Sequence, residues 1–209
     1  MQTLGIVGGI GSGKSTVVTL LCELAKCFVI GADEIGHRIL LKGDLAYNQV
    51  VETFGTSILD EDGQIIRRKL GNIVFADTQK LQMLNAITHP IIYDEIKRQV
   101  EKCKEEEKWE FVIIDAALLI EIGLVPLADY IIGVFSDEQT RLKRLMERDH
   151  FTKEQVLERI SKQKKWEELE KVSHYTIDNR FTQENTKEQL KALLERILKG
   201  YQCENEEMY

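Results

Sequence analysis

Gly8-Gly9-Ile10-Gly11-Ser12-Gly13-Lys14-Ser15 directly follows the apolar run Leu4–Val7 and meets every fixed position of the phosphate-loop pattern G-x-x-x-x-G-K-[ST]. Glycine takes positive φ without a Cβ penalty, so a loop of this kind can turn successive N–H groups inward around phosphate oxygens. Lys14 supplies a point charge for β- and γ-phosphates, and the Ser15 hydroxyl is a ligand for Mg²⁺. Thr16 and the apolar stretch Val17–Leu24 continue as a helix whose N-terminus turns its partial positive charge toward the same phosphates. Gly11, Ser12, Gly13, Lys14, Ser15 and Thr16 are therefore the expected contacts to a nucleoside triphosphate. A glycine-rich turn that binds nothing is the alternative, and the strand-loop-helix setting disfavours it.

Outward from that loop, short β-rich runs alternate with helical patterns. The runs are Leu4–Val7, Cys27–Ile30, Phe111–Ile114, Tyr130–Phe135 and a weaker one at Tyr175–Ile177. Alternation of this kind indicates βαβ units and a mainly parallel five-stranded sheet, an α/β fold. About eighty residues separate the second and third runs, far more than one crossover helix needs. Helical patterns at Ala46–Phe54, Arg67–Phe75, Leu81–His89 and Ile91–Glu107 make this stretch, residues 45–108, an inserted helical subdomain. Pro90 biases His89 away from helix and predicts a break between the last two. Capping boxes at Ser136 with Gln139, Thr152 with Gln155, and Thr186 with Gln189 predict three further helices. The acidic tail Gln202–Tyr209 is aperiodic and expected to fray.

A chain of 209 residues with 43% hydrophobic content is one domain with a normal core. Its net charge of -7 argues against general nucleic-acid binding. Residues 141–165 invert that balance, with nine Lys or Arg against four Asp or Glu. Such a run is either a solvated helix face or a lid that closes cations over polyphosphate. Cys22, Cys27, Cys103 and Cys203 lack C-x-x-C spacing and no charged-then-apolar leader is present, so a reduced cytoplasm is the expected location. His37, His89, His150 and His174 are scattered without metal-ligand spacing, and no structural zinc is expected. The longest apolar stretch, Ile113–Val125, is broken by Asp115 and Glu121, so no membrane segment is expected.

Two carboxylates close the strands nearest the loop. Asp115 ends the third apolar run, where it either holds Mg²⁺, directly or through water, or caps the following turn. Asp33 follows the second run, and strand C-termini in an open parallel sheet line the ligand crevice. A carboxylate there can take the proton of an attacking hydroxyl, or simply cap a helix over Glu34–Leu41. Arg144 and Arg148, four apart, share a helix face to which Arg141 adds a third cation three residues earlier, and guanidinium forks on that face suit a transferring phosphoryl group. Arg159 and Gln163 repeat that spacing on the next predicted helix, as ordinary surface helices also do.

In this order the residues resemble the dephospho-coenzyme A kinase family, from about Thr3 to Ile197. The likeness is carried by Val7–Ser15, Ala32-Asp33, Asp62-Gly63 with Arg67-Arg68, His89-Pro90, Leu118-Leu119 with Glu121, Lys143-Arg144 with Arg148-Asp149, and Ile177-Asp178-Asn179. It implies a three-layer P-loop kinase fold with a substrate-binding helical insert and a basic lid. It also implies ATP- and Mg²⁺-dependent phosphorylation of the ribose 3′-hydroxyl of dephospho-CoA by a monomer or weak oligomer. On the matching positions Asp33 becomes the base, Lys14 and the lid cations Arg144 and Arg148 the phosphoryl stabilisers, and His89 a residue on the substrate side. The chain departs from the family pattern at three places. Gly31 stands where a first Asp is common, Ala117 where a proline is, and Asn179-Arg180-Phe181 where a second Asn and a Gly are.

Three other readings use the same loop. A P-loop enzyme acting on a different small acceptor shares the fold, and fold does not fix substrate. A GTPase switch is disfavoured because no N-K-x-D motif occurs in the chain. A non-catalytic nucleotide binder is disfavoured by Lys14, Ser15, Asp33, Asp115 and Arg144 standing together.

Overall fold

The computed structural model describes residues 1–149 and 151–206. In chain order these form β1 (Gln2–Val7), α1 (Lys14–Leu24), β2 (Cys27–Gly31), α2 (Ala32–Arg38), α3 (Tyr47–Phe54), α4 (Arg67–Phe75) and α5 (Thr78–Glu106). They continue as β3 (Phe111–Asp115), β4 (Tyr130–Phe135), α6 (Glu138–Asp149), α7 (Lys153–Ser161), α8 (Trp166–Val172), β5 (Tyr175–Asp178) and α9 (Gln183–Glu206). The strands lie in the order β2-β3-β1-β4-β5, and every pairing is parallel.

Parallel strands covered on both faces are continuous apolar runs, and β3 is the clearest case. Phe111, Val112, Ile113 and Ile114 are all fully buried. Alternation then divides them between the faces. Phe111 and Ile113 pack with Val17 and Leu21 of α1 and Leu190 and Leu194 of α9. Val112 and Ile114 pack with Ile35 of α2 and Ile92, Ile96 and Val100 of α5. The result is three layers, with the carboxyl ends of β1, β2 and β3 on one edge. Register sets Asp115 beside Gly31 on one side and Ile6 on the other, so the phosphate loop, the start of α2 and Asp115 share that edge.

Several expectations need correction. Residues 78–106 form one helix with Pro90 inside it, not two with a break at His89. Pro90 removes a single N–H from the ladder, and buried Ile87, Ile92 and Ile96 carry the apolar face through the gap. The cap of α6 is Asp137, not Ser136, because the Asp137 carboxylate accepts from Thr140 N at 2.9 Å and Thr140 Oγ1 at 3.0 Å. Thr186 lies inside α9, where Thr182 Oγ1 accepts from Asn185 N at 3.3 Å and Thr186 is buried. The Thr152–Gln155 capping box forms as expected. Helix α8 had no capping signal in the sequence. The tail from Gln202 is helical to Glu206; His150 and residues 207–209 lie outside the described residues. Among the described residues no helix is long and apolar enough to cross a membrane.

Candidate active site

The phosphate loop turns where its glycines allow. Gly11 has φ 76° and Gly13 φ 93°, in the left-handed region that favours glycine, whereas Gly8 and Gly9 are not positive. Gly13 also has no room for a side chain, since a Cβ there would stand 2.0 Å from Asn179 Nδ2. It caps α1 without a side-chain hydrogen bond, which leaves the first-turn N–H groups facing the site.

Lys14 Nζ donates to Gly8 O at 2.6 Å, which bends the ammonium back over its own loop. Burial holds its pKa below the usual lysine range, while the charges of Asp115 and Asp33 oppose that fall. Asp115 shows the converse. Burial raises its carboxyl pKa, Lys14 pulls it down, and Asp33 and Glu34 add to the rise. Two carboxylates, Asp115 and Asp33, thus act on the Lys14 ammonium, with Arg141 as a second cation near it.

Asp33 is not the helix cap. Gly31 takes that position, no side chain caps it, and Asp33 lies in the first turn of α2 with its carboxylate exposed.

On the other side of the loop stands α6. Arg144 Nη2 donates to Asn179 O at 2.7 Å and Nη1 to Ser12 O at 3.3 Å. Arg141 Nε donates to Ile10 O at 2.8 Å, and its guanidinium occupies the space a Cβ on Gly9 would need. Gln163 Oε1 accepts from Ile10 N at 2.7 Å. Gln163 lies in the turn beyond α7 and not on that helix, so its predicted face with Arg159 does not exist. Arg159 instead lies over the Phe151 ring at 4.2 Å. Asn179 Nδ2 reaches Ser12 O at 2.8 Å, with its own Oδ1 accepting from Thr186 Oγ1.

A cleft of about 570 Å³ opens over this assembly, lined by Gly9, Ile10, Gly11, Gly13, Lys14, Ser15 and Thr16, by Arg144 and Arg148 of α6, and by Asn179, Phe181 and Gln183; Ser12 is buried and is not in its lining. A second cleft of about 410 Å³ borders Gly8 and Gly9, with Leu118, Glu121, Lys162 and Lys164 in its wall. His89, half-buried on α5, lines neither. Its ring donates to the backbone carbonyl of Glu121, and burial lowers its pKa. Lys164 Nζ lies 3.8 Å from Glu121 Oε1, so the loop after β3 meets both α5 and the segment between α7 and α8.

Gly11, Gly13, Lys14, Ser15, Thr16, Arg144 and Arg148 thus meet in one cleft, without the buried Ser12, and Asp33 and Asp115 are grouped around Lys14. Arg141 is expected from the sequence only as a third cation beside Arg144, and neither its contact nor those of Gln163 and Asn179 with the phosphate loop are expected there. Their partners are backbone groups more than a hundred residues away, which no local pattern records.

The family model described as dephospho-CoA kinase matches residues 2–185. A dephospho-CoA kinase of Carboxydothermus hydrogenoformans is 42% identical over 196 residues, 94% of each chain. Among solved structures, a dephospho-CoA kinase from Campylobacter jejuni superposes with a TM-score of 0.69 at 28% identity, covering 95% of this chain and 98% of that one. A shikimate kinase from Acinetobacter baumannii, covering 96% of this chain and 94% of its own, reaches 0.50 at 18% identity, a likeness of fold alone.

Proposed function

The chain belongs to the dephospho-CoA kinase family, and on that premise we propose that it transfers the γ-phosphoryl group of ATP to the ribose 3′-hydroxyl of dephospho-CoA, giving coenzyme A and ADP in the cytoplasm. The observation that carries the reading is the grouping of Asp33 and Asp115 around Lys14 on one side of the loop, with Arg144 on the other. ATP occupies the larger cleft, its phosphates on Gly11–Thr16. Dephospho-CoA enters from the β2 and β3 side, between the sheet edge and the helical insert, with His89 supporting that wall through Glu121.

Asp33 then accepts the proton of the 3′-hydroxyl as its oxygen forms a bond to the γ-phosphorus and the bond to the ADP oxygen breaks. An exposed carboxylate in the first turn of α2 is free to do so. Lys14 leaves the Gly8 carbonyl for the phosphates, and Arg144 and Arg148 offset charge that gathers on the peripheral oxygens. The exposed Ser15 hydroxyl and the Asp115 carboxylate are hard oxygen donors and suit Mg²⁺. Held by these residues, the ion would supply positive charge against that developing on the transferring phosphoryl group. The lid, residues 141–165, excludes water that would otherwise hydrolyse ATP.

The test is product formation from dephospho-CoA with ATP and Mg²⁺, read by mass spectrometry, with adenosine, AMP and shikimate as parallel acceptors. One added phosphate on dephospho-CoA, abolished in Lys14→Ala, is expected. Transfer to another acceptor in its place would keep the fold and reject the substrate.

A further inference from the structure

Past the phosphate loop, the larger cleft ends at an aromatic ring. Phe181 lines the same 570 Å³ space as Gly11, Gly13, Lys14, Ser15 and Thr16, on the segment that follows β5, and is 63% exposed. A single exposed apolar side chain is ordinary on a protein surface. Phe181 differs in being held in place at a concave site.

Its segment is tied to the phosphate loop through Asn179. That residue donates from Nδ2 to Ser12 O at 2.8 Å, accepts Arg144 Nη2 on its carbonyl at 2.7 Å, and donates its own N–H to Phe135 O at 2.9 Å. The ring itself is backed by Arg180, whose guanidinium lies 5.4 Å from the Phe181 centroid and 5.2 Å from that of Phe135. Asp178 fixes that guanidinium, accepting from Nη2 at 2.7 Å and Nε at 2.9 Å. Phe135 in turn packs on Trp166 at 4.9 Å. A ring fixed in this way loses little conformational freedom when a second ring stacks on it.

We propose that Phe181 is the stacking platform for the base of the donor nucleotide and so sets which nucleoside triphosphates the enzyme takes. The proposal rests on the reading of this cleft as the donor site. Phosphates held on Gly11–Thr16 direct the nucleoside along the cleft toward the segment after β5. A π-face reads ring area and not a hydrogen-bonding edge, because every base has one. The platform therefore favours purine over pyrimidine donors and adds nothing for phosphate alone.

The experiment is equilibrium binding of ATP, UTP and inorganic triphosphate to the full chain without acceptor, by calorimetry, for wild type, Phe181→Ala and Phe181→Trp. Thermal melts confirm that each variant folds. Phe181→Ala is expected to weaken ATP roughly five- to a hundredfold, weaken UTP less, and leave inorganic triphosphate unchanged. Phe181→Trp is expected to keep ATP affinity. In turnover, the KM for ATP rises in Phe181→Ala while that for dephospho-CoA does not follow. Equal losses for ATP and inorganic triphosphate would mean damage to the phosphate loop and would overturn the platform, as would unchanged ATP affinity. Phe181-dependent ATP binding in a wild type that fails to phosphorylate dephospho-CoA would reject the activity and keep the platform. A wild type that does not bind ATP would reject both.

Discussion

At Asp33, two roles for one carboxylate separate by size of effect. In the first turn of α2 it interacts with the helix dipole, worth about 0.3–1 kcal/mol for an exposed group. As the base for the acceptor hydroxyl it is worth roughly a hundred- to ten-thousandfold in rate. Asp33→Asn is therefore expected to melt close to wild type and bind ATP nearly as well, while kcat falls by at least about a hundredfold. Steady-state kinetics beside a binding titration decide it, and near-normal turnover sinks the base assignment. Lys14, Ser15 and Asp33 were legible in the sequence because each sits at a fixed offset from a strand end. Arg141 was legible as a third cation beside Arg144, but its contact with the Ile10 carbonyl, and that of Asn179 with Ser12 O, were not, since both lie on the distant loop.

Among the elements, strands read true because burial on both faces leaves a continuous apolar run. Helix ends read less well. Ser136 with Gln139 has the capping-box pattern, yet the neighbouring Asp137 carboxylate is the stronger acceptor and takes the cap. Pro90 looked like a boundary, but a 29-residue helix packed along one apolar face tolerates the loss of one N–H. That helix is also pinned to α2 by a charge cluster invisible to pattern reading. Glu95 is 9% exposed and accepts from Arg38 Nη2 at 2.6 Å, Arg98 Nη2 at 2.8 Å and Gln99 Nε2 at 2.9 Å. The hydrogen bonds from Arg98 first, then Gln99 and Arg38, outweigh burial and hold its pKa down to about 2 from 4.5. A carboxyl depressed on folding stabilises the fold fully above its unfolded pKa, and the contribution is lost as pH falls through the folded value. Glu95→Gln is expected to cost about 1–2 kcal/mol at pH 7, limited because both arginines stay partly in water. Thermal melts should show that gap closing between pH 4.5 and about 2; a gap independent of pH would reject the clamp.

Across the whole molecule, the sheet order β2-β3-β1-β4-β5 brings segments distant in sequence to one edge. Alternating β and α patterns announced a parallel sheet, but strand order depends on which crossover passes which neighbour, and no single run of residues encodes that. The same geometry makes Ile10, in the phosphate loop, the point where the proposed lid meets the core. Its N–H goes to Gln163 and its carbonyl to Arg141, while Arg141 Nη2 lies 3.4 Å from Gln163 Oε1. These three groups close a triangle between the start of α6, the turn after α7 and the loop, so removal of either side chain releases the other from part of its geometry. Arg141→Ala and Gln163→Ala are each expected to weaken ATP binding by about 1 kcal/mol or more. The double variant should fall short of the sum by roughly 0.5 kcal/mol or more, the mark of residues acting on a shared partner. Calorimetric Kd values for the four proteins of the cycle give that coupling directly. Strict additivity would mean that lid and loop are held separately, and that closing the lid leaves the phosphate cradle unchanged. A measured coupling would make lid position a determinant of how tightly the cradle holds its nucleotide, so the 141–165 segment would act on ATP through the loop as well as through its own arginines.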